Sequence, residues 1–376
     1  MQTNQNPENL LETARYIASN TDFDVALSEM ANEDVLSIDT EFLRERTYFP
    51  QLCLIQVASP HQAWCIDAIT IDDLSPFMKM CQSTDMTKIL HSARQDMEIF
   101  CMQSDDVPMP IFDTQIAATF TGRADQISYA ALVEELFGVS LDKSQTRTNW
   151  VKRPLREEQI TYALNDVVYL NPMREMLIQD LEEKGRRDWF EEDSRELGNA
   201  GIYNVEPQDA WQKVKGAGSL SSQAFKRVMA LAGWRETKAK HDNLPRSWVI
   251  KDGALMYLAE NPNEGFAAFE QHGSLSTKQI RLWGDELREI LSKDYDDLQI
   301  PLFLGNRGLD VQQKKLVKAM GNCIKSVATN LNVPPSLLAN RKEMERLARG
   351  AVESPIFCGW RNQVVGEQVR AILEAV

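Results

Sequence analysis

Short apolar runs and longer amphipathic stretches divide the first half of the chain into strands and helices. Apolar, β-branched runs predict five strands, at residues 35–40, 52–58, 63–69, 88–91 and 111–113. Helical patterns occupy residues 22–30, 72–82, 96–102, 114–121 and 157–181. The four-residue connection 59–62 predicts an antiparallel hairpin, and the later alternation of strands with helices predicts a parallel portion. The pattern therefore predicts a mixed sheet covered by helices.

The second half of the chain has only helical patterns. Ser221 and Ser222 are predicted to cap a helix at 223–240, and Ser276 and Thr277 to cap one at 278–292. A later apolar stripe at helical spacing consists of Leu316, Met320, Ile324, Val327 and Leu331. Residues 186–206 are charged and then rich in Gly and Asn, which predicts a linker. We therefore expect domains at 1–200, 207–293 and 301–376.

Composition narrows the class of protein. With 43% apolar and 26% charged residues, the chain has the make-up of a soluble globular protein. No apolar run reaches the ~18 residues of a membrane helix, and no signal peptide pattern stands at the N-terminus. The six cysteines include no Cys-x-x-Cys pair and the four histidines include no i, i+4 pair, which argues against disulfides and zinc. These features predict a cytoplasmic protein without membrane contact.

The net charge of −14 is unevenly distributed. Residues 1–206 carry 17 basic and 36 acidic side chains, whereas residues 207–293 carry 13 and 10, and residues 301–376 carry 11 and 6. An acidic first half followed by mildly basic helical units suggests that these units contact a polyanion. A solvated helix face would show the same weak excess.

Asp39 and Glu41 stand two residues apart at the end of the predicted strand at 35–40. Side chains at i and i+2 of a strand point to the same face. Two like charges beside a buried segment are costly unless a cation lies between them, and oxygen ligands favour Mg²⁺ or Mn²⁺ over zinc. In the stretch 37–41 taken alone, two solvated acids at a strand end are a more frequent explanation than a metal site.

Two later acids enlarge the candidate site. Asp96 follows a predicted strand near the start of a helix, where α/β sheets commonly bind ligands; a surface acid favoured by the helix dipole is the alternative. Tyr162 and Asp166 are four residues apart and share a helix face that is otherwise apolar. A buried Asp166 needs a partner, and a structural Tyr–Asp hydrogen bond is the alternative there.

The order Asp-x-Glu, Asp and Tyr-x-x-x-Asp resembles the tyrosine-containing branch of the DEDD exonuclease superfamily, and within it the ribonuclease D family. The resemblance covers residues 30–185 and rests on a set of short segments: Asp39-Thr40-Glu41-Phe42, Tyr48-Phe49-Pro50-Gln51-Leu52, His91, Asp96, Asp113-Thr114-Gln115, Leu141-Asp142-Lys143-Ser144, Arg147, Trp150, Arg153-Pro154-Leu155, Tyr162 and Asp166. Their combination is specific and favours the catalytic interpretation. The helical units resemble HRDC modules, the second being more divergent.

The resemblance implies an α/β ribonuclease H-like exonuclease domain, a mixed sheet with flanking helices, followed by two all-α HRDC-type domains. It also implies that Asp39, Glu41, Asp96 and Asp166 bind two divalent ions, Mg²⁺ or Mn²⁺, with Asp39 bridging them and Asp96 supporting the second. No other cofactor is expected. Tyr162 is expected to orient the attacking water, because a phenol of pKa ~10 is a poor base at neutral pH.

The implied activity is 3′→5′ hydrolysis of RNA to nucleoside 5′-monophosphates by a two-metal mechanism, in the 3′ maturation of tRNA precursors and other small structured RNAs. The expected partner is RNA with a free 3′ end, bound by a monomer through phosphate contacts. Basic residues of the helical half are the candidates for these contacts, although each also suits a solvated helix face: Lys213, Lys215, Lys226, Arg227, Lys238, Lys240, Lys314, Lys315, Lys318 and Lys325.

Two other functions fit parts of the sequence. The same acids serve 3′→5′ exonucleases that act on DNA, and RNA selectivity would need contacts to the 2′-hydroxyl. A non-catalytic module that binds nucleic acid or protein is the second alternative. The presence of all four acids together with Tyr162 argues against it.

Overall fold

The structure, a computed structural model, describes residues 6–104, 106–142, 144–145, 148–300 and 308–375. In this part of the chain, six strands form one sheet in the order β1-β4-β3-β2-β5-β6. Their bounds are Arg15–Ile17 (β1), Val35–Leu43 (β2), Gln51–Ala58 (β3), Ala63–Ile66 (β4), Thr87–Leu90 (β5) and Ile111–Asp113 (β6). The β2–β3 and β3–β4 pairs are antiparallel and the other three are parallel, which confirms the predicted mixed sheet.

Helices pack on the sheet, and the described chain after the sheet domain contains helices only. The helices of the sheet domain are Pro7–Thr13 (α1), Asn20–Met30 (α2), Ser75–Cys81 (α3), Arg94–Ser104 (α4), Thr114–Phe120 (α5), Tyr129–Phe137 (α6), Glu157–Val168 (α7), Leu170–Glu183 (α8) and Arg187–Arg195 (α9). The first helical unit contains Ser222–His241 (α10), Arg246–Val249 (α11), Asp252–Glu260 (α12), Phe266–Gln271 (α13) and Thr277–Ser292 (α14). The second contains Val311–Leu331 (α15), Pro335–Leu338 (α16), Arg341–Ala348 (α17), Gly359–Arg361 (α18) and Glu367–Glu374 (α19). None of the described helices has the length and apolar character needed to cross a membrane.

The helix predicted at residues 157–181 is wrong in one respect, since the structure divides it into α7 and α8. The division falls at Tyr169, which ends one helix and precedes the next. Pro172 explains it, because proline has no N–H to donate to the carbonyl of Val168 and its ring crowds that carbonyl. On either side of the break, α7 packs against β2 and β3, and α8 packs against β2 and β5.

The linker predicted at residues 186–206 is also wrong. Helix α9 and two short 3₁₀ helices, Glu196–Gly198 and Ala200–Ile202, occupy most of this stretch. Leu197 and Tyr203 are buried in the apolar cluster on one face of the sheet, and the Tyr203 hydroxyl donates to the Leu197 carbonyl at 2.7 Å. Apolar side chains spaced among the charged ones therefore fix this stretch to the sheet domain.

The two helical units are attached to the sheet domain in different ways. Residues 210–291 surround a separate apolar cluster, to which Tyr48 of the sheet domain also belongs. The stripe of α15 instead joins the cluster on the α7 and α8 face of the sheet, with Leu316, Met320 and Ile324 buried. The domain boundaries given above stay a prediction, and residues 301–307 lie outside the described part. The shared cluster means that residues 308–375 complete the core of the sheet domain.

Trp360 is the centre of this shared core. Its ring is 1% exposed, stacks on Trp189 at 4.8 Å between centroids, and meets Phe120 edge-on at 5.3 Å. The indole N–H donates to Asp193 at 2.9 Å, and the guanidinium of Arg361 binds the same carboxylate at 2.6–2.7 Å. Both aromatic contacts and both polar contacts cross from α18 to the sheet domain.

Replacing Trp360 by Ala is expected to lower the free energy of unfolding by about 3–5 kcal/mol, the usual cost of removing a large buried aromatic side chain. Denaturant unfolding followed by circular dichroism measures it. Trp248→Ala is the matched control, since that ring is 53% exposed, and it should change stability by less than about 0.5 kcal/mol. Equal stabilities of the two variants would contradict the shared core.

Candidate active site

Strand β2 and helix α7 bring three of the predicted acids together. Asp39 and Glu41 project from the same face of β2, and Asp166 faces them from α7, which packs across β2 and β3. One carboxylate oxygen from each of the three lies within 4.8 Å of the others. Alternation on the strand and the i, i+4 face of the helix thus produce the convergence that the sequence indicated.

Asp96 lies beside this cluster rather than within the same 4.8 Å set. It stands in the first turn of α4, is 7% exposed, and accepts a hydrogen bond from the Thr40 hydroxyl at 2.6 Å. Its charge raises the pKa of Asp39 and of Glu41, so the four carboxyl groups form one electrostatic unit. Thr40 occupies the position between the two strand acids, and its hydroxyl therefore links β2 to α4.

Burial raises the pKa of all four acids, and repulsion from other acids of the site adds to it at Asp39 and Glu41. Burial is the main cause for each, and it raises the pKa of Asp96 to about 6, of Asp166 to about 7 and of Glu41 to about 8. The pKa of Asp39 is raised well above its ordinary value by burial and then by the charges of Asp96, Asp166 and Glu41. The site therefore holds protons at neutral pH unless a cation replaces them.

A β-bulge lies next to Glu41. The β2–β3 register pairs Glu41 with Leu54 and Phe42 with Leu52, which leaves Cys53 without a cross-strand partner. The Cys53 carbonyl accepts a hydrogen bond from Arg153 Nη2 at 2.8 Å. Bulges disturb the strand pairing locally, and this one lies directly opposite Glu41.

The Arg153-Pro154-Leu155 segment thus has a positioning role. Arg153 binds both oxygens of the buried Asp67 carboxylate, at 2.5 and 2.6 Å, and donates to the carbonyl of Trp150 at 2.6 Å. Burial alone would raise the pKa of Asp67, but hydrogen bonds from Arg153 and Tyr16 outweigh it and hold that pKa below its usual range. The pair fixes the segment before α7 against β3 and β4. Lys143 and Arg147 of the neighbouring motif lie outside the described residues.

Asp113 has a positioning role at the other side of the site. Its carboxylate accepts backbone N–H bonds from Ser92 and Ala93, at 3.1 and 2.8 Å, and from Gln115 and Ile116 at the start of α5, at 2.8 and 3.3 Å. It therefore fixes the turn that leads from β5 into α4. That turn determines where the first turn of α4 presents its acid.

Two tyrosines lie near the acids. Tyr162 is one helical turn before Asp166, on the same helix, and its ring is 6.2 Å from that of Trp150. Tyr129 was not found from the sequence. Its hydroxyl donates to the carbonyl of Asn165 at 2.8 Å, and its pKa is raised well above the ordinary value by burial and by the charges of Asp166 and Asp39. Nothing in the sequence around residue 129 distinguishes it from any tyrosine in a first helical turn.

The structure separates the basic residues of the first helical unit into two groups. Four have partners within the chain: the Asp296 carbonyl for Lys226, the Ala259 carbonyl for Arg227, Glu286 for Lys238, and Asn204 and Val205 for Lys240. Lys213 and Lys215 have no side-chain partner among the described residues. Lys213 lines a cavity of about 620 Å³ between the sheet domain and the first helical unit, together with Arg94 and Lys251. Lys213 therefore places a positive charge in this cavity, which Glu45 and Asp252 also line.

Comparison with known proteins agrees with this architecture. The 3'-5' exonuclease family matches residues 14–182. A ribonuclease D from Bartonella henselae is 33% identical over 381 residues, which cover 99% of this chain and 93% of that protein. A ribonuclease D from Jannaschia sp. is 35% identical over 352 residues, covering 91% of each chain.

Solved structures give the same result. Escherichia coli RNase D, described as an exoribonuclease involved in structured RNA processing, matches with a TM-score of 0.86 at 29% identity, over 96% of this chain and 98% of that one. The catalytic core of RRP6 from Trypanosoma brucei matches with a TM-score of 0.57 at 19% identity over 74% of this chain and 78% of that one, which shows a shared fold. The predicted fold, an α/β ribonuclease H-like exonuclease domain followed by two all-α HRDC-type units, is confirmed. Because relatives named ribonuclease D match along nearly the whole chain, helical units included, this chain belongs to the ribonuclease D family and is a 3′→5′ exoribonuclease.

Proposed function

We propose that Asp39, Glu41, Asp96 and Asp166 hold two divalent ions, Mg²⁺ or Mn²⁺, for the exonuclease reaction. The convergence of three carboxylates within 4.8 Å, in surroundings that raise the pKa of each, carries this proposal. A purely oxygen donor set suits hard divalent cations. Positive charge between the acids would offset the repulsion that otherwise keeps protons on them. The residues present therefore fit such a pair of ions.

In this proposal, Asp39, Glu41 and Asp166 would hold the ions directly, and Asp96 would support them from the first turn of α4. The bound ions would supply Lewis-acid activation of a water molecule and stabilisation of the leaving 3′ oxygen. The Thr40 hydroxyl orients the Asp96 carboxylate, and the bulge at Cys53 lies opposite Glu41. Tyr162 orients the attacking water through its hydroxyl, since it stands one turn before Asp166 on the same helix.

The proposed substrates are RNAs with a free 3′ end, in particular structured RNAs such as tRNA precursors, and the products are nucleoside 5′-monophosphates. The description of the Escherichia coli relative as an enzyme of structured RNA processing supports this choice over DNA. We propose a monomer acting in the cytoplasm, and the six free cysteines suit a reducing compartment. The HRDC-type units would hold the RNA body through phosphates.

The activity assay uses a 5′-labelled RNA and Mn²⁺ or Mg²⁺, and a ladder that shortens one nucleotide at a time from the 3′ end is expected. Excess chelator should abolish it. Asp39→Asn should lower kcat by at least about 100-fold, because it removes ligand charge with little change in volume. Asp85→Asn, at an exposed acid, is the matched control and should retain full activity. Undiminished shortening in chelator, or by the Asp39→Asn protein, would refute the metal site.

The metal-free protein is expected to lose stability as the pH rises from about 5 to 8. The folded pKa values, about 6 for Asp96, 7 for Asp166 and 8 for Glu41, exceed the unfolded values near 4, so ionisation in this window favours the unfolded chain. Each unit of pKa difference is worth about 1.4 kcal/mol. Urea unfolding in chelator, at several pH values, measures the effect.

Glu41→Gln isolates the contribution of one acid in that experiment. The variant has nothing to ionise at this position, so its stability relative to the unmodified protein should increase between pH 5 and 8. The pKa of His91 is lowered by burial, which acts in the opposite sense, but His91 is common to both proteins. A stability difference that stays constant with pH would show that the Glu41 pKa is not raised.

Tyr162→Phe is expected to lower kcat by about 10²–10⁴-fold with little change in substrate affinity, the range typical of a group that acts on the reacting water. Calorimetric titration with Mn²⁺ should give unchanged occupancy, because a neutral phenol supplies no ligand charge. Tyr129→Phe is the control, since that hydroxyl already donates to a backbone carbonyl, and it should cost less than about tenfold. Equal activities of the two variants would make Tyr162 a structural contact.

A further inference from the structure

The loop between β2 and β3 leaves the sheet domain and enters the first helical unit. β2, which carries Asp39 and Glu41, ends at Leu43, and β3 begins at Gln51. Tyr48, in the connecting loop, is 6% exposed and belongs to the apolar cluster of residues 210–291. The Tyr48-Phe49-Pro50 segment therefore docks on a different unit from the strands that it joins.

A buried polar network holds Tyr48 in place. Its hydroxyl donates to the carboxylate of Glu236, a residue of α10 that is 1% exposed. Arg246, at the start of α11, binds both oxygens of that carboxylate, at 2.5 and 2.6 Å, and its Nη2 donates to the Tyr48 hydroxyl at 3.0 Å. The guanidinium also lies over the Tyr48 ring, 4.8 Å from the centroid. Each of the three side chains thus contacts the other two.

Charge complementarity keeps this network together. Burial tends to raise the pKa of Glu236, but the bonds from Arg246 and Tyr48 outweigh it, so that its pKa lies below the usual range. The carboxylate is therefore ionised at neutral pH and paired with the guanidinium. Removing one member of a buried, paired network lowers the free energy of unfolding by more than removing one partner of an exposed ion pair does.

Two further contacts hold the loop between β2 and β3, one at its tip and one at its start. The Phe49 N–H donates to Asn243 Oδ1 at 3.0 Å, in the turn after α10. Arg44, directly after β2, binds both oxygens of Glu98 on α4, at 2.8 and 2.9 Å. The loop is therefore fixed at one end to the helix that carries Asp96 and at its tip to the first helical unit.

The β2–β3 pairing is short between this loop and the bulge beside Glu41. Only the Leu43–Gln51 and Phe42–Leu52 pairs separate the loop from the bulge beside Glu41. An unpaired residue disrupts the strand pairing locally, so the direction of the strand end depends on what holds the loop. The Tyr48 network supplies that restraint from outside the sheet.

We propose that Tyr48 is a positioning residue of the active site: through Glu236 and Arg246, the first helical unit fixes the end of β2 and thereby the placement of the Asp39 and Glu41 carboxylates. The proposal rests on the proposed metal site. It makes the helical unit part of the catalytic scaffold in addition to any role in binding RNA. Its consequence is that a change in the helical unit alters metal affinity without touching an acid.

Tyr48→Phe in the full chain tests this. The variant keeps the ring and loses the hydroxyl, and it is expected to weaken Mn²⁺ binding and lower kcat by about tenfold each, the range seen when groups that orient metal ligands are removed. The substrate is a tetraribonucleotide, whose KM should stay unchanged because it is too short to reach far into the helical unit. Added Mn²⁺ should restore part of kcat.

Tyr203→Phe is the matched control. That tyrosine is also buried and lines the same cavity as Tyr48, and the variant loses one hydroxyl bond, to the Leu197 carbonyl. Within the described residues its hydroxyl makes no hydrogen bond to the β2–β3 loop. It should lower the melting temperature without changing kcat or Mn²⁺ affinity. If Tyr48→Phe behaves in the same way, Tyr48 only fastens two units together and the proposal is overturned.

Asn243→Gly provides an independent variant. Asn243 has a φ of +49°, which glycine adopts freely, so the turn is kept while the acceptor for the Phe49 N–H is removed. A smaller loss of Mn²⁺ affinity in the same direction is expected, and no loss would count against the proposal. Mn²⁺ calorimetry reports on positioning even in an assay without turnover, so failure of the proposed activity is distinguishable from failure of this inference.

Discussion

The crowding of four carboxyl groups in one partly buried place is the constraint on which the rest of the site depends. The neighbouring arginines are committed to other acids, Arg153 to Asp67 and Arg44 to Glu98. The fold thus uses these two arginines for positioning, and within the described residues no ion pair to a basic side chain is formed by any of the four acids. Such an arrangement favours the binding of divalent cations, because each bound ion offsets the repulsion between carboxylates that are poorly solvated.

Neutral groups do much of the remaining positioning. The Thr40 hydroxyl and the backbone N–H groups gathered by Asp113 orient the α4 acid and its turn. At the bulge opposite Glu41, the guanidinium of Arg153 donates a hydrogen bond to the Cys53 carbonyl. Each of these contacts fixes geometry without neutralising one of the four site acids. This explains how several short motifs far apart in the chain serve one site.

Local rules predicted much of the fold and of the candidate site. Strand alternation placed Asp39 and Glu41 on one face, and helical spacing placed Tyr162 near Asp166. The helix break at Tyr169 was open to prediction too, because Pro172 forbids a continuous ladder. Tyr129 and the docking of Tyr48 were not, since both depend on contacts between elements far apart in sequence. Counting charges likewise could not show that Lys226 and Arg227 have partners within the chain. Their partners are backbone carbonyls, which composition does not reveal.

The shared core around Trp360 has a consequence for synthesis of the protein. The acids of the site lie in the first 166 residues, whereas Trp360, which packs against Phe120 and Trp189, is synthesised nearly 200 residues later. A nascent or prematurely terminated chain carries every acid but leaves this apolar surface open, which favours chaperone binding and aggregation. Proteases remove such species preferentially. The second helical unit thus covers an apolar surface that the acid-bearing part of the chain would expose on its own.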